Sequence, residues 1–225
     1  GMPYYEDCTS LNEMIQRYAG LPLKTKPGQH RLYSDVSFML LGKVVEMAAR
    51  DSLHGYSQRR IFGPLGMRDT RFVPPPDWTP RCAATGASGW RNGAAYAAVH
   101  DENAYAVGGV SGHAGLFSTV ADLAIFCRAM VGHKLLKPST MAEMMRPGQV
   151  AAYPWQGLGW KIDPWSASIE GFLPSRLAIG HTGWTGTSIW MDCASGLFAI
   201  LLSNTCHPDR EQRNNTVLRQ HFHAA

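Results

Sequence analysis

Gly180-His181-Thr182-Gly183-Trp184-Thr185-Gly186 runs straight into Thr187-Ser188-Ile189-Trp190-Met191-Asp192, and the fold follows from how that join is read. Apolar and β-branched residues bounded by glycines predict a strand over 187–192. The glycines just before it predict a turn over 182–186. Downstream, Ala194-Ser195-Gly196 predicts a second turn and 197–203 a second strand. Upstream, 157–163 reads as a further strand. Segments of this kind, joined by short turns, make an antiparallel meander.

Outward from the sheet the periodicity becomes helical. Ser10-Leu11-Asn12-Glu13 is a capping box opening a short helix towards Tyr18, which Gly20 and Pro22 end. Between 34 and 50, Val36, Leu40, Val44, Met47 and Ala48 recur at helical spacing. Gly63-Pro64-Leu65-Gly66 closes a further short helix. Residues 73–110 are rich in Pro, Gly, Ala and Asn and predict a long surface excursion. Thr119-Val120-Ala121-Asp122 caps a helix over 120–131, another follows over 138–145, and 209–222 closes the chain as a helix.

Helices first, then a hairpin-rich sheet and a last helix, is the pattern of an α+β fold. The expected architecture is an antiparallel sheet from about 157–203 with flanking helices, plus a helical lobe from 9–66 and 119–146. Residues 1–225 are expected to form a single domain, with 1–150 mostly helical lobe and loops and 151–225 sheet and closing helix.

Composition narrows the partners. The 225 residues, 45% hydrophobic and 17% charged, suffice for one domain that buries about 70% of its unfolded surface, or for two intimately packed lobes. Lys and Arg number 21 against 17 Asp and Glu, a net charge of +4. These charges are scattered, with Arg59-Arg60 the nearest approach to a cluster. No nucleic-acid partner is expected, because the basic stripe with interleaved aromatics that one requires is missing. The longest wholly apolar run, 197–202, is far short of the roughly 20 residues of a membrane span, so the chain reads as soluble.

Cys8, Cys82, Cys127, Cys193 and Cys206 form no Cys-x-x-Cys pair and read as free buried thiols. The nine histidines include no His-Glu-x-x-His, and His221 and His223 read as solvated near the C-terminus. No metal and no cofactor is expected. No basic stretch followed by an apolar one opens the chain, and the compartment stays open.

Three stretches carry chemistry. Tyr33-Ser34-Asp35 begins the 34–50 helix. A tyrosine there can hold its hydroxyl at the mouth of a cleft, where a neighbouring cation would make it a proton acceptor. The plainer alternative is a half-buried Tyr followed by a Ser/Asp N-cap. The segment 180–186 lies on the expected sheet edge. Its glycines let a substrate approach the backbone, and an edge N–H can hydrogen-bond an oxyanion. Here the plainer alternative is a glycine-rich turn with a solvated His181. In the third stretch, His100, Asp101 and Glu102 match no metal spacing, and the glycines from Gly108 to Gly115 predict tight loop packing near the helix that follows.

Together these stretches resemble the serine β-lactamase-like family, which includes class C β-lactamases, D-alanyl-D-alanine carboxypeptidases and related esterases. Tyr33-Ser34-Asp35 matches the family's Tyr-x-Asn element with Asp for Asn. His181-Thr182-Gly183 matches its Lys-Thr-Gly element with His for Lys. The segments 61–70, 112–118 and 202–204 are similar to family framework segments, and the matches run through the chain in the family's order. The resemblance implies a β-lactamase or penicillin-binding-protein transpeptidase-like fold and a serine acyl-transfer cycle on a small-molecule ester or amide. In that cycle Tyr33 helps move protons and Trp184 donates its backbone N–H to the oxyanion hole. Asp35, His181, Thr182 and Gly183 line the substrate cleft, so Tyr33 and His181 are expected to face one cleft. His in place of Lys fits an esterase better than an enzyme that binds a β-lactam carboxylate.

The family's nucleophile lies in a Ser-x-x-Lys motif upstream of the tyrosine, and no serine of this chain has Lys three residues later. The nearest, Ser57-Gln58-Arg59-Arg60, follows the tyrosine. Gly1-Met2-Pro3 is similar to the tail of a turn that follows the motif. The expectation is therefore an N-terminally truncated chain, lacking the first strands and the nucleophile helix and inactive alone. The face so exposed offers a surface for self-association. The alternative is a non-catalytic binding or relic domain of the same fold.

Overall fold

The computed structural model describes residues 8–86, 96–148, 156–162, 178–208 and 215–223. The chain divides into two compact units, 1–27 with 32–118 and 28–31 with 119–225.

The first unit is mainly helical. Helix α1 (Leu11–Ala19) starts at Ser10, whose hydroxyl accepts the Glu13 N–H at 3.3 Å. Glu13 reaches back to the Thr9 N–H at 2.9 Å, which satisfies a donor the helix itself cannot. Met14 and Tyr18, one turn apart, face inward and join Cys8 and Met39 in a small core. Met39 belongs to α2 (Asp35–Ala49), which Ser34 caps and left-handed Arg50 ends. Ser52 caps α3 (Leu53–Ser57), which passes through a wide turn at Gln58–Phe62 into α4 (Gly63–Leu65). Gly66, at φ +74°, ends the run in a conformation that suits glycine.

Strand β1 (Arg71–Phe72) pairs antiparallel with β2 (Leu116–Phe117). Of the expected surface excursion 73–110, residues 87–95 lie outside the described residues, and the remainder is more ordered than that. It holds a 3-10 turn at Pro76–Arg81 and helix α5 (Glu102–Ala106), whose Ala104 and Asn103 are buried. The glycines of 108–115 do pack tightly, but Gly112 packs on α2 rather than on the following helix. A Cβ on Gly112 would run into the Phe38 carbonyl, and one on Gly42 would sit 3.1 Å from the Gly112 nitrogen. Two backbones meet there because neither residue has a side chain.

In the second unit, α6 (Val120–Val131), capped by Thr119, and α7 (Pro138–Met144) pack on a sheet of three strands. Cys127, Met130 and Met141 from the helices meet Ile162, Ile179, Met191 and Ile200. Thus α6 and α7, grouped with 9–66 on sequence, share the core of the sheet. Burial pushes the Cys127 thiol up to about 12. Strands β3 (Ala178–Thr182), β4 (Ser188–Asp192) and β5 (Phe198–Leu201) form an antiparallel meander, and α8 (Asn215–His223) closes the described chain.

Two strand expectations need correction. Residues 157–162 are not a strand: the Gly157 N–H bonds the Trp160 carbonyl at 2.9 Å and Gly159 sits at φ +78°, so the backbone turns back on itself. Of residues 157–162 only Lys161 reaches the sheet, exchanging two hydrogen bonds with Gly180 at 2.9 and 3.0 Å. The partner that β4 needs is β3, which starts before the glycine-rich stretch. Of the expected closing helix 209–222, residues 209–214 lie outside the described residues.

Candidate active site at the β3–β4 corner

His181 and Thr182 are the last residues of β3, opposite Ile189 and Ser188. The chain then turns through Gly183 and Gly186. The Gly183 N–H bonds the Thr187 carbonyl at 2.8 Å, and the Gly186 N–H bonds the Gly183 carbonyl at 3.1 Å. Gly186 sits at φ +102°, and a Cβ there would meet Ser203, Asn215 and Thr205. A side chain at 183 would strike the Thr187 hydroxyl. The tight corner thus presents Trp184 outward, the residue 55% exposed.

His181 is partly buried, with Nδ1 2.8 Å from the Thr182 carbonyl oxygen. Burial depresses its pKa. The Thr182 hydrogen bond opposes this, while the charges of Lys161, Arg31 and Arg219 add to the depression. Arg31 is anchored beside it by donating to Gln156 Oε1 at 2.7 Å. A histidine disfavoured as a cation in the folded state adds stability that is complete above its unfolded pKa. That stability is lost as pH falls from there through the lower folded value. An NMR titration should place the His181 midpoint below 6.5, and Lys161→Met should raise it. A midpoint at or above that value would contradict this electrostatic account.

Tyr33 and Asp35 lie together in the first unit. Tyr33 is 69% exposed just ahead of α2, Ser34 is the N-cap with its hydroxyl accepting the Ser37 N–H at 3.4 Å, and Asp35 is the first helical residue. The structure therefore groups Tyr33 with Asp35, and His181 with Thr182, Gly183 and Trp184. A cavity of about 510 Å³ in the first unit, lined by Lys43, Glu46, His54, Arg71 and Phe72 among others, includes none of these six residues.

Other polar pairings come from the fold. Asp101 caps α5 by accepting the Ala104 N–H at 2.8 Å and lies 2.8 Å from His113 Nε2. His113 Nδ1 in turn lies 2.8 Å from the Ser111 hydroxyl. Burial works to raise the Asp101 pKa, but the bond and charge from His113 and the Ala104 N–H outweigh it and hold the carboxyl below its ordinary value. His223, expected in solvent, is buried against Ser188 with Nε2 2.9 Å from its hydroxyl. Asn215 and Arg219 also bond the corner, and only their four-residue spacing with His223 could have signalled a shared face.

The family model described as Beta-lactamase matches residues 1–222. A protein of Salmonella schwarzengrund (strain CVM19633) with the provisional name D-alanyl-D-alanine carboxypeptidase is 36% identical over 230 residues. That match covers 92% of this chain and 52% of the relative, so the chain spans about half the length of the curated relatives it matches. A β-lactamase crystal structure from Mycobacterium bovis is 21% identical with a TM-score of 0.62, covering 95% of this chain and 71% of that one. Simvastatin synthase from Aspergillus terreus is 20% identical with a TM-score of 0.68, covering 94% of this chain and 60% of that one. At such identities these two structures speak for the α+β fold alone.

Proposed function

Because the chain belongs to the beta-lactamase family, we propose that it supplies the substrate-binding and oxyanion side of a serine acyl-transfer hydrolase acting on small-molecule esters or amides. The observation that carries this is the β3–β4 corner, where a strand ends in His181-Thr182 and glycines hold the backbone of the following Gly183-Trp184 in a tight turn. Backbone N–H groups fixed before the reaction stabilise an oxyanion without reorganising. In the proposed site the Trp184 N–H takes that role, and His181, Thr182 and Gly183 contact the substrate; Asp35 is proposed as a further substrate-binding residue on the resemblance alone. Tyr33 carries the proton between nucleophile and leaving group. A His181 kept largely neutral lacks the fixed charge of a lysine, which favours a neutral ester over a carboxylate-bearing substrate. We take residues 1–225 as one domain, on the strength of a single family match over 1–222.

The nucleophile is not assigned to any serine of this chain, since none has Lys three residues on. The same observation favours a second reading, a non-catalytic binding domain of the same fold. The in-frame sequence ahead of Met2 separates them. If a Ser-x-x-Lys stands there and the joined chain forms a fluorophosphonate adduct on that serine, the hydrolase is supported. A joined chain that binds ester analogues without any adduct supports the binding domain.

Among the described residues no helix is long and apolar enough to cross a membrane. Helix α2 nonetheless exposes Phe38, Leu41, Val44 and Met47, the last 71% exposed. A second copy of the chain is the proposed occupant of this stripe. Sedimentation should show concentration-dependent association that Val44→Lys with Met47→Lys abolishes, and a concentration-independent monomer would refute it.

A further inference from the structure

Helix α8 holds the β3–β4 corner with side chains that recur every four residues. Asn215 donates from Nδ2 to the Trp184 carbonyl at 3.1 Å. Arg219 donates from a single nitrogen, Nη2, to the Gly183 carbonyl at 2.7 Å and to the Thr187 carbonyl at 2.9 Å. His223 lies against the Ser188 hydroxyl at 2.9 Å. Side chains four apart rise along one helix face, and their partners follow the corner from residue 183 into β4. Arg219 is 8% exposed, so its guanidinium is held where each hydrogen bond counts, and hydrogen bonds from a charged donor are roughly twice as strong as neutral ones.

The two carbonyls that Arg219 grips are the ones that close the corner. The Thr187 oxygen already accepts the Gly183 N–H, and the Gly183 oxygen already accepts the Gly186 N–H. Arg219 therefore ties both ends of the turn to one point on the helix. Its bond to the Gly183 oxygen has a second consequence. That carbonyl belongs to the same peptide group as the Trp184 N–H, and a cationic donor on the oxygen draws electron density from the nitrogen. The N–H becomes a stronger donor, as in any chain of hydrogen bonds that polarise one another.

We propose that Arg219 is a positioning residue of the site, fixing the 183–187 backbone and polarising the Trp184 N–H through the Gly183 carbonyl, with Asn215 and His223 supporting it from the same face of α8. The oxyanion role of Trp184 rests on the function proposed above, whereas the clamp itself does not. A lysine retains the charge and several N–H groups on one nitrogen, but carries them on a shorter, flexible stem without the planar guanidinium that fixes their directions. A glutamine retains donors without charge.

The test uses the 225-residue chain and NMR amide exchange. Arg219→Gln should raise exchange at Gly183 and Gly186 by about tenfold or more while Trp190 and Met191 stay within about twofold, and Arg219→Lys should fall between. The Trp184 amide resonance should shift in the same order. A uniform rise across the sheet would mean that Arg219 merely docks the helix, and an unchanged corner would mean that it clamps nothing; either overturns the proposal. Should Arg219→Gln not fold, Asn215→Ala removes its bond to the Trp184 carbonyl and the one it accepts from the Thr205 hydroxyl, and must give a smaller change at 183–187 that leaves Trp190 and Met191 unmoved, or the proposal fails. In an acylation-competent form, Arg219→Gln should lower kcat at constant KM. A loosened corner with kcat intact would leave the clamp standing and remove the oxyanion role of Trp184.

Discussion

Incubated with a fluorophosphonate or a penicillin, the 225-residue chain should keep its own intact mass, and p-nitrophenyl acetate should give no burst of product. Acyl transfer through serine needs a hydroxyl that a base can deprotonate and that a carbonyl carbon can reach. Losing the nucleophile removes most of the rate enhancement, on the order of a millionfold in serine hydrolases. The serine most resembling a nucleophile among the described residues is Ser111, in series with His113 and Asp101 at 2.8 Å each. It has the hydrogen bonds but not the access. Ser111 is 3% exposed and the His113 side chain 6%, and the adjoining Gly112 is pressed onto the α2 backbone at Phe38. The series is accordingly a structural tie between α5 and the loop leading to β2. Ser188 is buried as well, against His223. Peptide mapping that found an adduct on Ser111, or on any other serine of this chain, would sink this account and demand another mechanism.

Trp190→Ala should cost about 3–5 kcal/mol of stability, the range for truncating a buried tryptophan. Trp190 is fully buried at the centre of β4, with Ala178 and Ala199 beside it. It pairs with Gly180 across β3, and a Cβ on Gly180 would collide with its ring. The ring thus occupies the space that glycine leaves empty. Gly180→Ala should itself cost about 1–3 kcal/mol through overpacking. The two costs should not add. With the ring gone, the methyl at 180 keeps only its clash with the Ile189 carbonyl, so the double variant should be less destabilised than the sum, a coupling expected of residues in contact. Urea midpoints at unchanged m-value would measure all three changes. Additivity within error would mean that ring and glycine do not share that space.

The α+β class and the family were legible in the residues because their signals are local. The caps at Ser10, Ser34 and Thr119 act on donors three residues away, so helices α1, α2 and α6 start where the letters place them. Strand β4 shows itself by its apolar run. Strand β3 does not, because Gly180 and His181 interrupt the strand-favouring Ile179 and Thr182, and Lys161 in turn joins the sheet through two backbone bonds that carry no residue signature. The motif residues were legible too, but only by resemblance.

Which residues serve each motif was decided by the tertiary structure. Arg219 finds the Gly183 carbonyl 36 positions away, and His223 finds Ser188 at a separation of 35. Nothing in an arginine or a histidine near a chain's end says which carbonyl or hydroxyl it will meet. Burial makes that choice, because a polar group taken from water must pair with whatever the packed backbone brings within reach. Local capping and periodicity therefore determined the elements, and long-range packing determined the company that the candidate site keeps.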